Sequence, residues 1–263
     1  MTPLFLIAAL FYVVAASAFA AHLLGRHPSM LRLGRLALGA ALLGHLGFIG
    51  LQCLHGMNPL RDVRGALDLS SWLLAVGALL ISVRSRFAVV GLVAAPISLG
   101  LLVVSRLTPA GALVSPGSAT LLGKAHIALV AAGVAIFGIA AAVAAIYLLQ
   151  EAALRSKRVG ALYRRTPSLT SLDDAGRRLI LVGFPIFTFA VVSGLVWVTR
   201  RPGIGLRPEH AVAGLTWAIF AALILARVTM GWRGRRAAML TVLGFLAVVG
   251  VLLIYMGRRV LGG

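Results

Sequence analysis

The sequence predicts an all-α, polytopic integral membrane protein with eight transmembrane helices and both termini outside. Three observations carry this. Of its 263 residues, 60% are hydrophobic and only 12% charged, with a mean hydropathy of +1.02; a soluble domain holds about 25% charged residues. The apolar runs reach the ~20 residues needed to cross the hydrocarbon core. Finally, the long polar stretch Glu151 to Arg178 lies between two such runs and carries Arg155, Lys157, Arg158, Arg164, Arg165, Arg177 and Arg178. Basic residues beside membrane helices stay on the cytoplasmic side, so this loop orients the rest.

Helix 1 is expected from about Pro3 to Gly25. Its Ala18-Phe19-Ala20 has the form of a cleavage site, but no Lys or Arg precedes the run, whereas Arg26, Arg32 and Arg35 follow it. Signal peptides have the reverse charge order, so the reading is a retained helix entering from outside. Helix 2 (about Leu36 to Leu54) returns outward with His45 near its middle, and Asn58-Pro59 marks a turn in the outer loop. Helix 3 (Leu67 to Val83) ends at the inner turn Arg84-Ser85-Arg86. Helix 4 (Phe87 to Leu107) contains Pro96, tolerated where neighbours satisfy the freed carbonyl.

A Pro/Gly/Ser-rich outer loop, Thr108 to Gly123, leads to helix 5 (Lys124 to Leu154), longer than a membrane requires and so tilted or protruding. Helix 6 (Leu179 to Thr199) contains Gly183-Phe184-Pro185. Helix 7 (His210 to Met230) and helix 8 (Ala237 to Met256) are joined by the inner turn Gly231 to Arg236. In this layout sixteen of the 25 Lys and Arg residues lie inside, which agrees with the positive-inside rule. No internal repeat marks an inverted-repeat transporter, and residues 1–263 read as a single membrane domain.

The net charge of +19 would suggest nucleic acid in a soluble chain. Here the cations sit between apolar runs, so orientation and contact with anionic lipid account for them and no nucleic-acid partner is expected. The single Cys53 excludes an internal disulfide, a CxxC redox pair and a CxxCH haem-attachment motif.

Ionisable groups inside a bilayer are costly and are the first places to look for function. His45 admits three roles: haem ligand, proton relay, or hydrogen bond between helices. Gly39, Gly44, Gly47 and Gly50 flank it and serve either helix packing or room for a flat cofactor. His55, His126 and His210 fall at the outer boundary, where two imidazoles can form a haem site; His126 is the most embedded. His22 and His27 read as interfacial. Trp72, Trp197, Trp217 and Trp232 suit aromatic belts or packing. Asp68 and Glu209 lie near outer helix starts, where the helix dipole favours a carboxylate. Asp173 and Asp174 precede Arg177 and Arg178 at the spacing of a solvated helical turn. No grouping suggests hydrolysis or phosphoryl transfer, so no catalytic residue is assigned.

These features occur in an order that resembles the cytochrome c assembly family, especially its short CcsA-like members called HemX. A histidine lies in the second helix (His45), Leu67-Asp68-Leu69-Ser70 and Trp72 open the third, and Lys124-Ala125-His126-Ile127 begins the fifth. Tyr147-Leu148, Pro167-Ser168-Leu169, Leu172-Asp173, Arg178, Gly183-Phe184-Pro185, Thr188, Gly194 and Trp197 follow. Pro208-Glu209, Trp217 and Gly231-Trp232-Arg233-Gly234-Arg235-Arg236-Ala237 complete the match, which runs from about residue 36 to 257.

The resemblance implies a haem-handling protein of the bacterial inner membrane that serves cytochrome c biogenesis or haem supply. In the family two membrane histidines and two outer histidines serve haem. His45 and His126 match the first of each; the second membrane position is Ala226, followed by Arg227, and no histidine follows helix 8. The tryptophan-rich haem-presenting segment is reduced to residues 199–207. The resemblance therefore implies an accessory protein rather than a complete synthase. It would bind b-type haem through His45 or His126, with His210 as a substitute outer ligand and Arg200, Arg201 and Arg207 near the propionates. Its partner would be a cytochrome c assembly protein or a haem-synthesis enzyme. A scaffold or regulatory subunit that does not bind haem is the alternative, and a small-molecule transporter the third.

Overall fold

The structure, a computed structural model, describes residues 2–25, 29–108, 120–157, 166–199 and 208–261. His27, Arg26, Arg158, Arg164, Arg165, Arg200, Arg201 and Arg207 lie outside these residues, as does most of the predicted outer loop after helix 4. Among the described residues there are eight long helices and no strand: α1 (Thr2–Leu23), α2 (Ser29–Leu54), α3 (Val63–Ser82), α4 (Val89–Leu107), α5 (Leu121–Arg155), α6 (Leu169–Thr199), α7 (Pro208–Thr229) and α8 (Arg235–Leu261). A 3-10 turn, Ser85–Ala88, leads into α4. All eight are long and apolar enough to cross a membrane, which makes the chain an all-α, multi-pass membrane protein.

The spans match the sequence expectation in number and order, and differ at their ends for identifiable reasons. Helix α3 begins at Val63 rather than Leu67 because Asp62 caps it, accepting 2.7 Å from the amide of Gly65; such a side-chain acceptor satisfies one of the orphan amides of a first turn. Thr120 does the same for α5 through the amide of Gly123 at 3.2 Å. Helix α6 begins at Leu169 rather than Leu179, so the end of the basic stretch is helical. There Asp173 does not serve a solvated turn with Arg177. It accepts from Arg227 of α7 at 3.0 Å and from the amide of Gly234 at 3.2 Å.

Helix α5 is the central post. Its membrane window is 72% buried against 22% for both α6 and α7, and it packs on α3, α4, α6 and α8. Helix α1 packs on α2 and α4, and α7 on α8 and α6. Lipid is as apolar as a leucine side chain, so helix association here depends on close packing rather than on escape from water. Phe19 of α1 lies against Gly91 of α4, where a Cβ would come 2.4 Å from its ring, and against Gly34 of α2. Between α5, α6 and α7, Phe137 stacks on Phe220 at 3.9 Å between centroids and meets Phe187 edge-on at 5.4 Å. Gly44 and Gly47 of α2 face Ile7, Ala8 and Leu4 of α1, whereas Gly39 and Gly50 face open space.

The antiparallel order gathers the basic turns at one end. There Arg35 donates to the carbonyls of Ser82 and Val83 at the end of α3, where carbonyls lack partners and the dipole favours a cation. Gln150 donates to Thr166 and to the carbonyl of Pro167 at 3.0 and 3.1 Å. The turn between α7 and α8 has glycine at both left-handed positions, Gly231 (φ 64°) and Gly234 (φ 69°), where a side chain would be strained.

Candidate functional site

His45 lies at the centre of a polar cluster between α1, α2, α3 and α4. It is 0% exposed, with the Tyr12 hydroxyl 3.0 Å from its Nδ1 and the Phe48 ring 6.4 Å from its own. Nearby, Ser71 of α3 donates to the carbonyl of Ser98 on α4 at 2.7 Å. The Tyr12 hydroxyl and Nδ1 of His45 share one hydrogen bond, whose direction follows the tautomer of the imidazole. The other ring nitrogen, Nε2, is buried with no hydrogen-bond partner.

About two turns beyond His45 along α2, away from the basic end, Gln52 belongs to a second buried polar cluster. Asp68 was expected near a helix start, at the dipole, but it lies within α3 and is only 1% exposed. Its Oδ2 accepts from Gln52 at 3.1 Å, its Oδ1 accepts from Ser105, and the Arg106 guanidinium lies 3.9 Å away. Arg106 also sits 4.6 Å over the Phe48 ring, which joins this carboxylate to the wall beside His45. A buried carboxylate is tolerated when its oxygens are hydrogen-bonded and a cation is near.

His126 stands near the start of α5, at the end opposite the basic turns. Its Nδ1 lies 2.9 Å from the carbonyl of Ala190 and 3.2 Å from Oγ of Ser193. Ser193 gives its own proton to that same carbonyl at 2.9 Å, so both neighbours accept and Nδ1 carries the hydrogen. Nε2 thus presents a lone pair, the state in which an imidazole serves as a metal ligand held by its other nitrogen. The Trp197 ring lies 5.8 Å away, and His210 is close enough to act on His126 electrostatically. The structure thus sets Trp197 of α6 against His126 of α5; His210 of α7 makes no described contact with either. It does not bring His55 to them in any described contact: His55, just past the end of α2, is exposed and bonds the carbonyl of Leu51 at 2.7 Å.

Two other tryptophans tie helices together rather than form a belt: Trp72 donates to the carbonyl of Leu42 at 3.2 Å and Trp217 to Thr188 at 3.0 Å. Among the described residues no group of three or more His, Cys, Asp or Glu could hold a metal ion.

Residues 60–263 match the family model described as cytochrome C assembly protein. This chain belongs to the cytochrome c assembly protein family. Curated proteins named cytochrome c biogenesis protein CcsA are similar to it. The one from Crocosphaera subtropica is 34% identical over 117 residues, covering 44% of this chain and 34% of its own length. The one from Gloeobacter violaceus is 40% identical over 91 residues, covering 34% and 27%. The chain thus spans about a third of the length of these relatives, or less.

A solved structure entitled cytochrome c haem lyase CcmF superposes with a TM-score of 0.66 at 17% identity. It covers 98% of this chain and 49% of the other, a likeness of fold. Within the cytochrome c assembly family match fall His126, His210, Trp197, Asp173 and the Gly231–Arg236 turn; α1 and the whole of α2, including His45, precede it.

Proposed function

We propose that this protein is an accessory haem-handling membrane protein of cytochrome c biogenesis, with b-type haem held through His126 at the end opposite the basic turns. One observation carries the reading: Nδ1 of His126 is anchored on α6, so that Nε2 offers its lone pair beside Trp197. Haem, when bound, supplies an iron that takes imidazole nitrogens at its axial positions. His210 is the second ligand in this reading, and Arg200, Arg201 and Arg207 pair with the propionates, a task suited to planar guanidinium. His45 is a second candidate ligand, supported by its unpartnered Nε2; Tyr12 and Phe48 cover its ring, so binding there requires Phe48 to move.

The basic end faces the cytoplasm in this reading, which puts both termini outside and the chain in the bacterial inner membrane. The whole of residues 1–263 acts as one membrane domain. Attachment of haem to an apocytochrome belongs to a partner, either another cytochrome c assembly protein or a haem-synthesis enzyme. The second reading, a scaffold without haem, is favoured by Ala226, buried at 8% exposure where a second membrane histidine would stand.

The visible spectrum of the purified protein separates the two. A Soret band lost in His126→Ala and weakened in His45→Ala supports haem binding. Protein that stays colourless after hemin is supplied supports the scaffold.

A further inference from the structure

A cavity of about 230 Å³ opens between α6 and α7 at the basic end, lined by Arg177, Ile180, Leu181, Ile224, Arg227, Val228, Trp232 and Arg233. Three guanidinium groups line it and no carboxylate does. The Arg227 side chain is 8% exposed and gives one nitrogen, Nη2, to Asp173. Its Nε and Nη1 are buried without a hydrogen-bond partner. Burying guanidinium donors unsatisfied is costly, and Asp173, the acid paired with Arg227 among the described residues, is already shared with the amide of Gly234. Such donors suit an anion from outside the chain.

The remaining walls describe the rest of that anion. Leu181 and Val228, 45% and 77% exposed, continue the cavity onto the lipid-facing surface of α6 and α7, while Trp232 marks the interfacial level, where indole is favoured. A charged head above an apolar body is the chemistry of a phospholipid. The volume is below the ~300–1,000 Å³ of pockets that enclose a drug-sized ligand, which suits a phosphate group better than a macrocycle. We propose that this cleft is a binding site for the phosphate of an anionic phospholipid, held by Arg177, Arg227 and Arg233 with its acyl chains along α6 and α7. The two left-handed glycines of the α7–α8 turn place Trp232 and Arg233 over the cleft.

The site is independent of any haem bound at His126. The test uses the full chain, purified in detergent and examined by native mass spectrometry after equilibration with phosphatidylglycerol or phosphatidylcholine. Wild type is expected to retain one phosphatidylglycerol where phosphatidylcholine is stripped. Arg177→Gln/Arg233→Gln changes exposed side chains and leaves the Arg227–Asp173 pair intact; it should lower retention roughly tenfold or more, the scale of losing charge-assisted hydrogen bonds. Arg178→Gln, exposed but outside the cleft, should retain lipid as wild type does. Equal retention of the two lipids would overturn the proposal, as would an equal loss in Arg178→Gln. Displacement of the lipid by inorganic phosphate at equal concentration would reassign the site to a free anion, and one-for-one displacement by hemin would reassign it to haem carboxylates.

Discussion

Gly194 of α6 lies directly against the imidazole of His126 on α5: a Cβ added to Gly194 would come 2.8 Å from Cε1 of the ring. No larger residue fits without pushing the imidazole from its two acceptors, the carbonyl of Ala190 and the hydroxyl of Ser193. The same contact that positions the ring thus requires a glycine on the neighbouring helix.

Gly194→Ala is therefore expected to act on haem binding more than on stability. Loss of an outer hydrogen bond that orients a metal-binding imidazole typically costs about 10–100-fold in affinity, and hemin titration of the variant should show a shift of that order. The overpacking itself costs about 1–3 kcal/mol. Hemin affinity equal to wild type would remove His126 as the ligand.

Tyr12→Phe keeps the ring beside His45 and removes only the hydroxyl. Nδ1 of His45 then loses its partner. Hydrogen bonds between membrane helices have measured couplings of ~0.6 kcal/mol on average and up to ~1.7. A double-mutant cycle of Tyr12→Phe and His45→Leu, followed by unfolding in mixed micelles, should return a coupling in that range. A coupling of zero would show that the Tyr12–His45 bond adds nothing to the hold of α1 on α2.

The eight spans were legible because length and composition alone determine a membrane helix, and all eight runs are apolar enough to show through. The helix ends that were misread carry polar residues. Asp62 followed by Gly65 is a capping signal that could have moved the start of α3, and with that shift Asp68 falls inside the helix rather than at its tip. Residues 169–178 carry Asp173, Asp174, Arg177 and Arg178 and so look like a solvated helical turn outside the span, although they form the part of α6 that carries the ion pair to Arg227. His126 was visible as a histidine at a helix start. Its anchor was not, because the carbonyl of Ala190 has no sequence signature. The Asp68 cluster joins residues from α2, α3 and α4, and no spacing along the chain encodes it.

Gly65→Ala should be among the most damaging small substitutions. The new Cβ would lie 2.3 Å from the carbonyl oxygen of Pro59 and 2.4 Å from its Cα, and backbone cannot step aside as a flexible side chain can. The first turn of α3 must then part from the 58–62 turn, at a cost of ~3 kcal/mol. Gly39→Ala and Gly50→Ala meet nothing within 4 Å, and alanine favours a helix over glycine by about 1 kcal/mol. Thermal unfolding should place Gly65→Ala well below wild type and the other two at or slightly above it.

Asp68→Ala and Asp68→Asn distinguish a structural network from an ordinary polar contact. Alanine removes both oxygens at once, leaving the Gln52 amide and the Ser105 hydroxyl without this acceptor and the Arg106 guanidinium without its counter-charge. Removing one partner of a buried ion pair costs about 3–5 kcal/mol, because the other charge is stranded. Asparagine keeps one oxygen for Gln52 or Ser105 and loses only the charge, so it should cost roughly half as much. Asp68→Asn/Arg106→Gln, which removes both charges, should recover part of that loss, since the penalty is for imbalance rather than for the missing pair. Unfolding free energies in the order Ala, Asn, then the double variant, from least to most stable, are the expected result. If Asp68→Ala unfolds with Asp68→Asn, the carboxylate supports nothing beyond its own charge, and Arg106 is held by the Phe48 ring instead.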